Sequence, residues 1–85
     1  MNPKAQYESY YARGIRQLER DLRSNRVVAF KYRKANGQFR YARGRIPREW
    51  ADRMGVAVTK DGGEILIYWD IDRGAVRSFY TINLL

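Results

Sequence analysis

Residues 27–46 read VVAFKYRKANGQFRYARGRI. Two runs rich in β-branched and aromatic residues, 27–33 and 39–46, flank the polar segment KANGQ, the pattern of paired strands. Asn36-Gly37 is the favoured pair for a two-residue type I′ turn. That turn would set Lys34 opposite Phe39, Tyr32 opposite Tyr41, Phe30 opposite Arg43 and Val28 opposite Arg45. One face of the ribbon would then carry Val28, Phe30, Tyr32, Phe39 and Tyr41 with Lys34, Arg43 and Arg45. The other would carry Val27, Ala29, Ala42, Gly44 and Ile46 with Lys31, Arg33 and Arg40. Mixed faces of this kind fit a strongly bent strand pair in a small barrel.

Downstream, Pro47 ends the second strand, and residues 48–54 (REWADRM) read as a short helical turn with Trp50 as a plug. Third, fourth and fifth strands are expected at 56–60 (VAVTK), 65–70 (ILIYWD) and 75–83 (AVRSFYTIN). Glycine turns at 61–64 and 72–74 separate them. Upstream, Asn2-Pro3 has the form of an N-cap and first helical residue, predicting a helix over 3–24. Tyr7, Tyr11, Ile15, Leu18 and Leu22 fall within an arc of about 80° at 100° per residue. Arg13, Arg16, Arg20 and Arg23 occupy the opposite side, and Ser24-Asn25 supplies a stop. Gly14 interrupts this helix at about 1 kcal/mol relative to Ala. The expectation is one domain over 1–85: a basic helix capping a five-stranded barrel over 27–85, which removes the edges of its sheet.

The chain has 85 residues, no cysteine and no histidine. Disulfides, thiolate zinc sites, a cysteine nucleophile and a histidine base are therefore excluded. No apolar run reaches the roughly 18–20 residues of a membrane helix, and residues 1–11 lack the apolar core of a secretory signal. A soluble, cytoplasmic protein is expected, with no cofactor. The net charge is +8, and it is uneven. Residues 1–48 hold thirteen Lys/Arg and three Asp/Glu, a net +10; residues 49–85 hold four and six, a net −2. An anionic partner is implied, nucleic acid first.

Two stretches resemble a known family. FKYRKANGQFRYARGRIP (30–47) resembles the front of WYL-type barrels, and IYWDIDRGAVRSFYTINLL (67–85) resembles their end. The order of one helix and five strands is similar to the Sm-like, Src-homology-3-type small barrel. The small stand-alone WYL_2-type group of bacteria and their phages is closer still, with a match over roughly 14–85. The Trp-Tyr-Leu triplet of the larger WYL family is absent, with Tyr68-Trp69 its nearest echo. The resemblance implies a sensor or nucleic-acid-binding module in a bacterial cell or its phage.

Enzymatic readings lack a motif. Asp70 and Asp72 could hold a magnesium ion, but such residues more often cap turns, and Asp72 stands where it would do so. The expectation is a non-enzymatic protein that binds single-stranded RNA or DNA, combining cations with stacking rings. The candidate anion-binding residues are Arg13, Arg16, Arg20 and Arg23 on the helix, with Lys31, Arg33, Arg40, Arg43 and Arg45 on the hairpin. Candidate stacking rings are Tyr32, Tyr41 and Phe39, with Phe30 and one of the two tyrosines assigned to the core. Two other readings stay open. One is an inhibitor that lays its basic surface on an acidic host protein of defence or transcription. The other is a nucleotide or oligonucleotide pocket lined by Arg43, Arg45 and Arg77. The tail residues Ile82, Leu84 and Leu85 could close the barrel or join a second copy in a homo-oligomer.

Overall fold

The hairpin forms where expected, but one residue out of the expected register. In the computed structural model, which describes residues 7–85, strand β1 (Val28–Arg33) pairs with β2 (Phe39–Arg45). Tyr32 faces Arg40, Lys31 faces Tyr41 and Phe30 faces Ala42. The cause is the turn. The Gly37 N–H donates to the Lys34 carbonyl at 2.9 Å, and the Lys34 N–H donates to the Gln38 carbonyl at 2.7 Å. Ala35, Asn36 and Gly37 thus form a three-residue loop, with Gly37 at φ 88°. This is a type I turn followed by a left-handed glycine bulge, rather than the two-residue type I′ turn. Because side chains alternate with period two, the shift moves every β2 residue to the other face. Val28, Phe30, Tyr32, Arg40, Ala42 and Gly44 now share the inner face; Lys31, Arg33, Phe39, Tyr41, Arg43 and Arg45 share the outer one.

Strands β3 (Gly55–Val58), β4 (Glu64–Asp70) and β5 (Ala75–Tyr80) follow in the expected order, all antiparallel. β5 runs along one edge of β4, while β2 and β3 divide the other edge between them. A short 3-10 turn at Thr81–Asn83 replaces the expected end of β5. It delivers Leu84 to a bridge with Tyr32, which closes the barrel. Ile82 does not take part and is 86% exposed.

The core is built on four rings. Tyr32 and Phe79 stack at 4.1 Å, and Phe30 meets Tyr68 edge-on at 5.1 Å, geometries favoured by ring quadrupoles. The Tyr32 and Tyr68 hydroxyls lie 2.8 Å apart, sharing a hydrogen bond inside the core. Gly44 lets β2 cross over Tyr68 closely; a Cβ there would sit 2.6 Å from the ring and 2.9 Å from the Trp69 carbonyl. Trp50, expected as a plug, lies on a 3-10 turn (Arg48–Trp50) and is 44% exposed. Its ring is instead approached by the Arg53 guanidinium at 5.7 Å, and Met54 fills the core nearby.

Helix α1 spans only Ile15–Leu22, with Gly14 as N-cap. The expected portion over 3–6 lies outside the described residues. Residues 7–13 are not helical because their backbone groups find partners on the barrel. The Glu8 N–H donates to the Ala29 carbonyl at 3.1 Å and the Tyr10 N–H to the Leu85 carbonyl at 2.9 Å. Tyr10, not Tyr11, enters the core, where its hydroxyl donates to Asp21 at 2.6 Å. That hydrogen bond is the leading cause that holds the Asp21 carboxyl below its ordinary pKa. Leu18 and Leu22 bury the helix, which ends at Leu22, and the chain turns away at Asn25 (φ 66°), within the stop the sequence implied.

A polar clamp ties α1 to the start of β3. Glu19 accepts the Val56 N–H at 2.8 Å, and Arg23 donates to the carbonyls of Ala51 and Met54 at 3.0 and 2.8 Å. Burial would raise the Glu19 pKa, but the Val56 N–H and the Arg23 charge together hold it below the ordinary value. Gly55 threads the clamp at φ 106°.

Candidate nucleic-acid interface

The outer face of the hairpin gathers rings and cations. Phe39 stands opposite Arg33, and Tyr41 opposite Lys31. Phe39 is 53% exposed, with the Arg33 guanidinium 4.9 Å from its ring centre. Arg33 also donates to the Gly37 carbonyl at 3.1 Å, which fixes it over the ring. Tyr41 is half-buried, and Tyr7 meets it edge-on at 5.6 Å. Tyr11, 78% exposed, joins Lys31, Phe39, Tyr41 and Leu85 around a shallow depression of about 320 Å³. Tyr11 was assigned to the buried stripe of a helix. Gly14 was the sequence signal that residues before it need not follow the helical period.

Arg43 and Arg45 extend this face along β2. Arg43 contacts both carboxylate oxygens of Asp72 at 3.0–3.3 Å. Water screens such exposed pairs, so a phosphate can compete for the guanidinium. Asp70, rather than Asp72, caps the β4–β5 turn. It is fully buried, and its Oδ1 accepts the N–H groups of Asp72 and Arg73 at 3.0 and 3.1 Å.

The other expected residues are not gathered here. Tyr32 is in the core, as one of the tyrosine pair was expected to be, and cannot stack on a base. Arg40 points to the inner face, opposite the register expected for it. The proposed trio of Arg43, Arg45 and Arg77 does not line one pocket: only Arg77 borders the large cleft beside β5. On the N-terminal side, Arg13 precedes the helix and pairs with Glu8 at 2.6 Å, while its guanidinium lies 4.2 Å from the Tyr10 ring centre. Arg16 lies 3.6 Å from Glu19 and 3.7 Å from Glu64. Arg23 is spent on the clamp, and Arg20 donates to Gln17. Residues 15–22 (IRQLERDL) hold two arginines against Glu19 and Asp21, a net charge of zero. The helix therefore presents a compensated surface, and the cationic face belongs to the hairpin.

A family model described as WYL_2, with an Sm-like SH3 β-barrel fold, matches residues 15–85. The chain belongs to the WYL_2 family. The match begins at the first residue of α1 and takes in every strand. No curated protein and no solved structure matches the chain. Among the described residues, no helix is long and apolar enough to cross a membrane.

Proposed function

We propose that this WYL_2 barrel binds single-stranded nucleic acid, RNA or DNA, on the outer face of its hairpin, without catalysis. The observation that carries the reading is the register of β1 and β2, which sets Phe39 and Tyr41 on the same surface as Lys31, Arg33 and Arg43. Rings supply stacking for unpaired bases, and the cations beside them neutralise the phosphates between. Tyr11 widens the platform on one side and Arg45 extends its charge on the other. A duplex hides its base faces, so it offers this surface only phosphate contacts.

The test is fluorescence polarisation with single-stranded RNA, single-stranded DNA and duplex at about 150 mM salt. Single strands should bind more tightly than duplex. Phe39→Ala should weaken single-strand binding by about 5–150-fold, since each stacked base is worth about 1–3 kcal/mol. Lys31→Ala with Arg43→Ala should lower the single-strand salt slope by about 1.4. Absence of binding to all three nucleic acids, with recovery of one acidic host protein by the immobilised chain, would replace this reading with that of a protein inhibitor.

A further inference from the structure

The inner side of the hairpin opens onto a second, larger cleft of about 600 Å³, within the size range of small-molecule sites. Lys34 and Arg40 border it from the hairpin and Arg77 from β5, with Arg33 at its edge, and none of its lining residues is Asp or Glu. Two of these guanidiniums are unfinished. Arg40 Nη1 and Arg77 Nε are buried and have no hydrogen-bond partner among the described residues. Arg77 Nε lies 3.5 Å from Asp70 Oδ2, which attracts its charge without making a hydrogen bond. Asp70 also faces Arg73 at 3.6 Å and is committed to the turn through its other oxygen, so one carboxylate serves two arginines. Arg40 has no ion pair among the described residues.

A buried N–H left without an acceptor costs about 1–3 kcal/mol, and native proteins leave few of them. Arg40 Nη1 is such a donor; with Arg77 and Lys34 beside it and no carboxylate among the lining residues, it calls for an anionic ligand with several oxygens. We propose that the cleft is a binding site for a phosphomonoester group, held by Arg40 and Arg77. Guanidinium forks match phosphate oxygens geometrically, and Ser78 offers a hydroxyl donor on the same wall. Ile65, Val76 and the partly exposed ring of Tyr80 also line the cleft, giving the organic part of such a ligand an apolar wall. The same group could come from a free nucleoside monophosphate or from the phosphorylated end of a strand. The site does not depend on the outer platform, because Arg40 and Phe39 project to opposite faces of the hairpin.

The experiment follows backbone amide shifts of the full chain during titration with inorganic phosphate and with adenosine 5′-monophosphate. Saturable binding with a Kd below about 1 mM is expected, with shifts around residues 34–40 and 75–80. Arg40→Gln should weaken it at least about tenfold, and Phe39→Ala should leave it unchanged. The Nη1 atom of Arg40 makes no hydrogen bond to lose, and thermal melts establish that the variant is folded. Should that variant not fold, Arg40→Lys keeps the charge, removes the fork, and is expected to weaken binding several-fold. No saturable binding up to about 10 mM, or binding unaffected by the folded Arg40 variant, overturns the proposal. A comparison of 5′-phosphorylated with 5′-hydroxyl oligonucleotides separates the sources. A phosphate-dependent gain that Arg40→Gln abolishes assigns the strand end, whereas equal strand binding beside saturable monophosphate binding assigns the free ester. Loss of strand binding in Phe39→Ala with monophosphate binding intact shows that the two sites stand apart.

Discussion

Gly55→Ala probes the clamp between α1 and β3. The backbone there sits at φ 106°, a region an L-residue enters at about 1–3 kcal/mol. The added Cβ would also overlap the Arg23 guanidinium and lie 2.6 Å from the Glu19 carboxylate. Arg23 is flexible and can swing away, but in doing so it gives up its hydrogen bonds to Ala51 and Met54. Because that side chain is partly exposed, water replaces much of what is lost, and about 1 kcal/mol is a fair charge for both bonds. The sum is about 2–4 kcal/mol, against a total of about 4–13 kcal/mol for a domain of this length. At about 4–8 °C per kcal/mol, melting should fall by roughly 8–32 °C. A double-mutant cycle separates the two parts. In an Arg23→Ala background the same substitution should cost about 1 kcal/mol less, leaving backbone strain and the contact with Glu19. Urea and thermal unfolding followed by circular dichroism read both quantities. A Gly55→Ala variant within about 0.5 kcal/mol of the parent would refute the strain argument, and a cost unchanged without Arg23 would refute the steric part.

Other perturbations have equally definite outcomes. Tyr10→Phe removes the hydrogen bond that most lowers the Asp21 pKa, and should cost about 1–3 kcal/mol near neutral pH. A carboxyl with a depressed folded pKa contributes stability above its unfolded value near 4 and loses it as pH falls through the folded value. The gap between parent and variant should therefore shrink on acidification below about pH 4, as read by denaturant melts at several pH values. Tyr68→Phe should destabilise by about 1–3 kcal/mol because it strands the Tyr32 hydroxyl in the core, while Tyr32→Phe with Tyr68→Phe should cost less than the two singles added. Gly44→Ala drives a methyl into Tyr68 and the Trp69 carbonyl, and should lower stability by about 1–3 kcal/mol in the same melts. Ile82→Ser should change stability by less than about 0.5 kcal/mol at a dilution where the chain is monomeric.

The fold was largely legible because its signals are local and repeated. Strand positions followed from alternating β-branched and aromatic runs, and the turns from glycine pairs with Asn or Asp. Two failures came from contacts no local pattern encodes. The hairpin loop took three residues instead of two, and that single residue decided whether Phe39 and Tyr41 faced the core or solvent. Tyr7 and Tyr11 fell on the helical period, but the open edge of β1 recruited residues 8–10 as an extended neighbour. The candidate platform was half legible. Lys31, Arg33, Phe39, Tyr41 and Arg43 were named from composition, but only the register brought them to one surface. Tyr32 dropped out through burial, and Arg13, Arg16 and Arg23 through Glu8, Glu19 and Glu64, partners distributed along the chain. The Arg40–Arg77 cleft joins residues 37 positions apart and has no local signature.

The shared edge of β1 has a consequence for how the chain acquires its shape during synthesis. Residues 8–10 and 84–85 both complete themselves there, with Tyr10 joined to Leu85 and Tyr32 to Leu84. The hairpin can assemble soon after residue 45 leaves the ribosome, but the part of its rim beside Lys31 and Tyr32 stays uncovered until residues 84 and 85 emerge. Contacts so distant in sequence must overcome a large loop entropy before they are rewarded, which slows folding. Until then an unpaired, aromatic strand edge is open to any neighbouring chain. Removing Leu84 and Leu85 should therefore shift the nascent protein from folding toward strand-to-strand aggregation, even though α1 and all five strands would still be encoded.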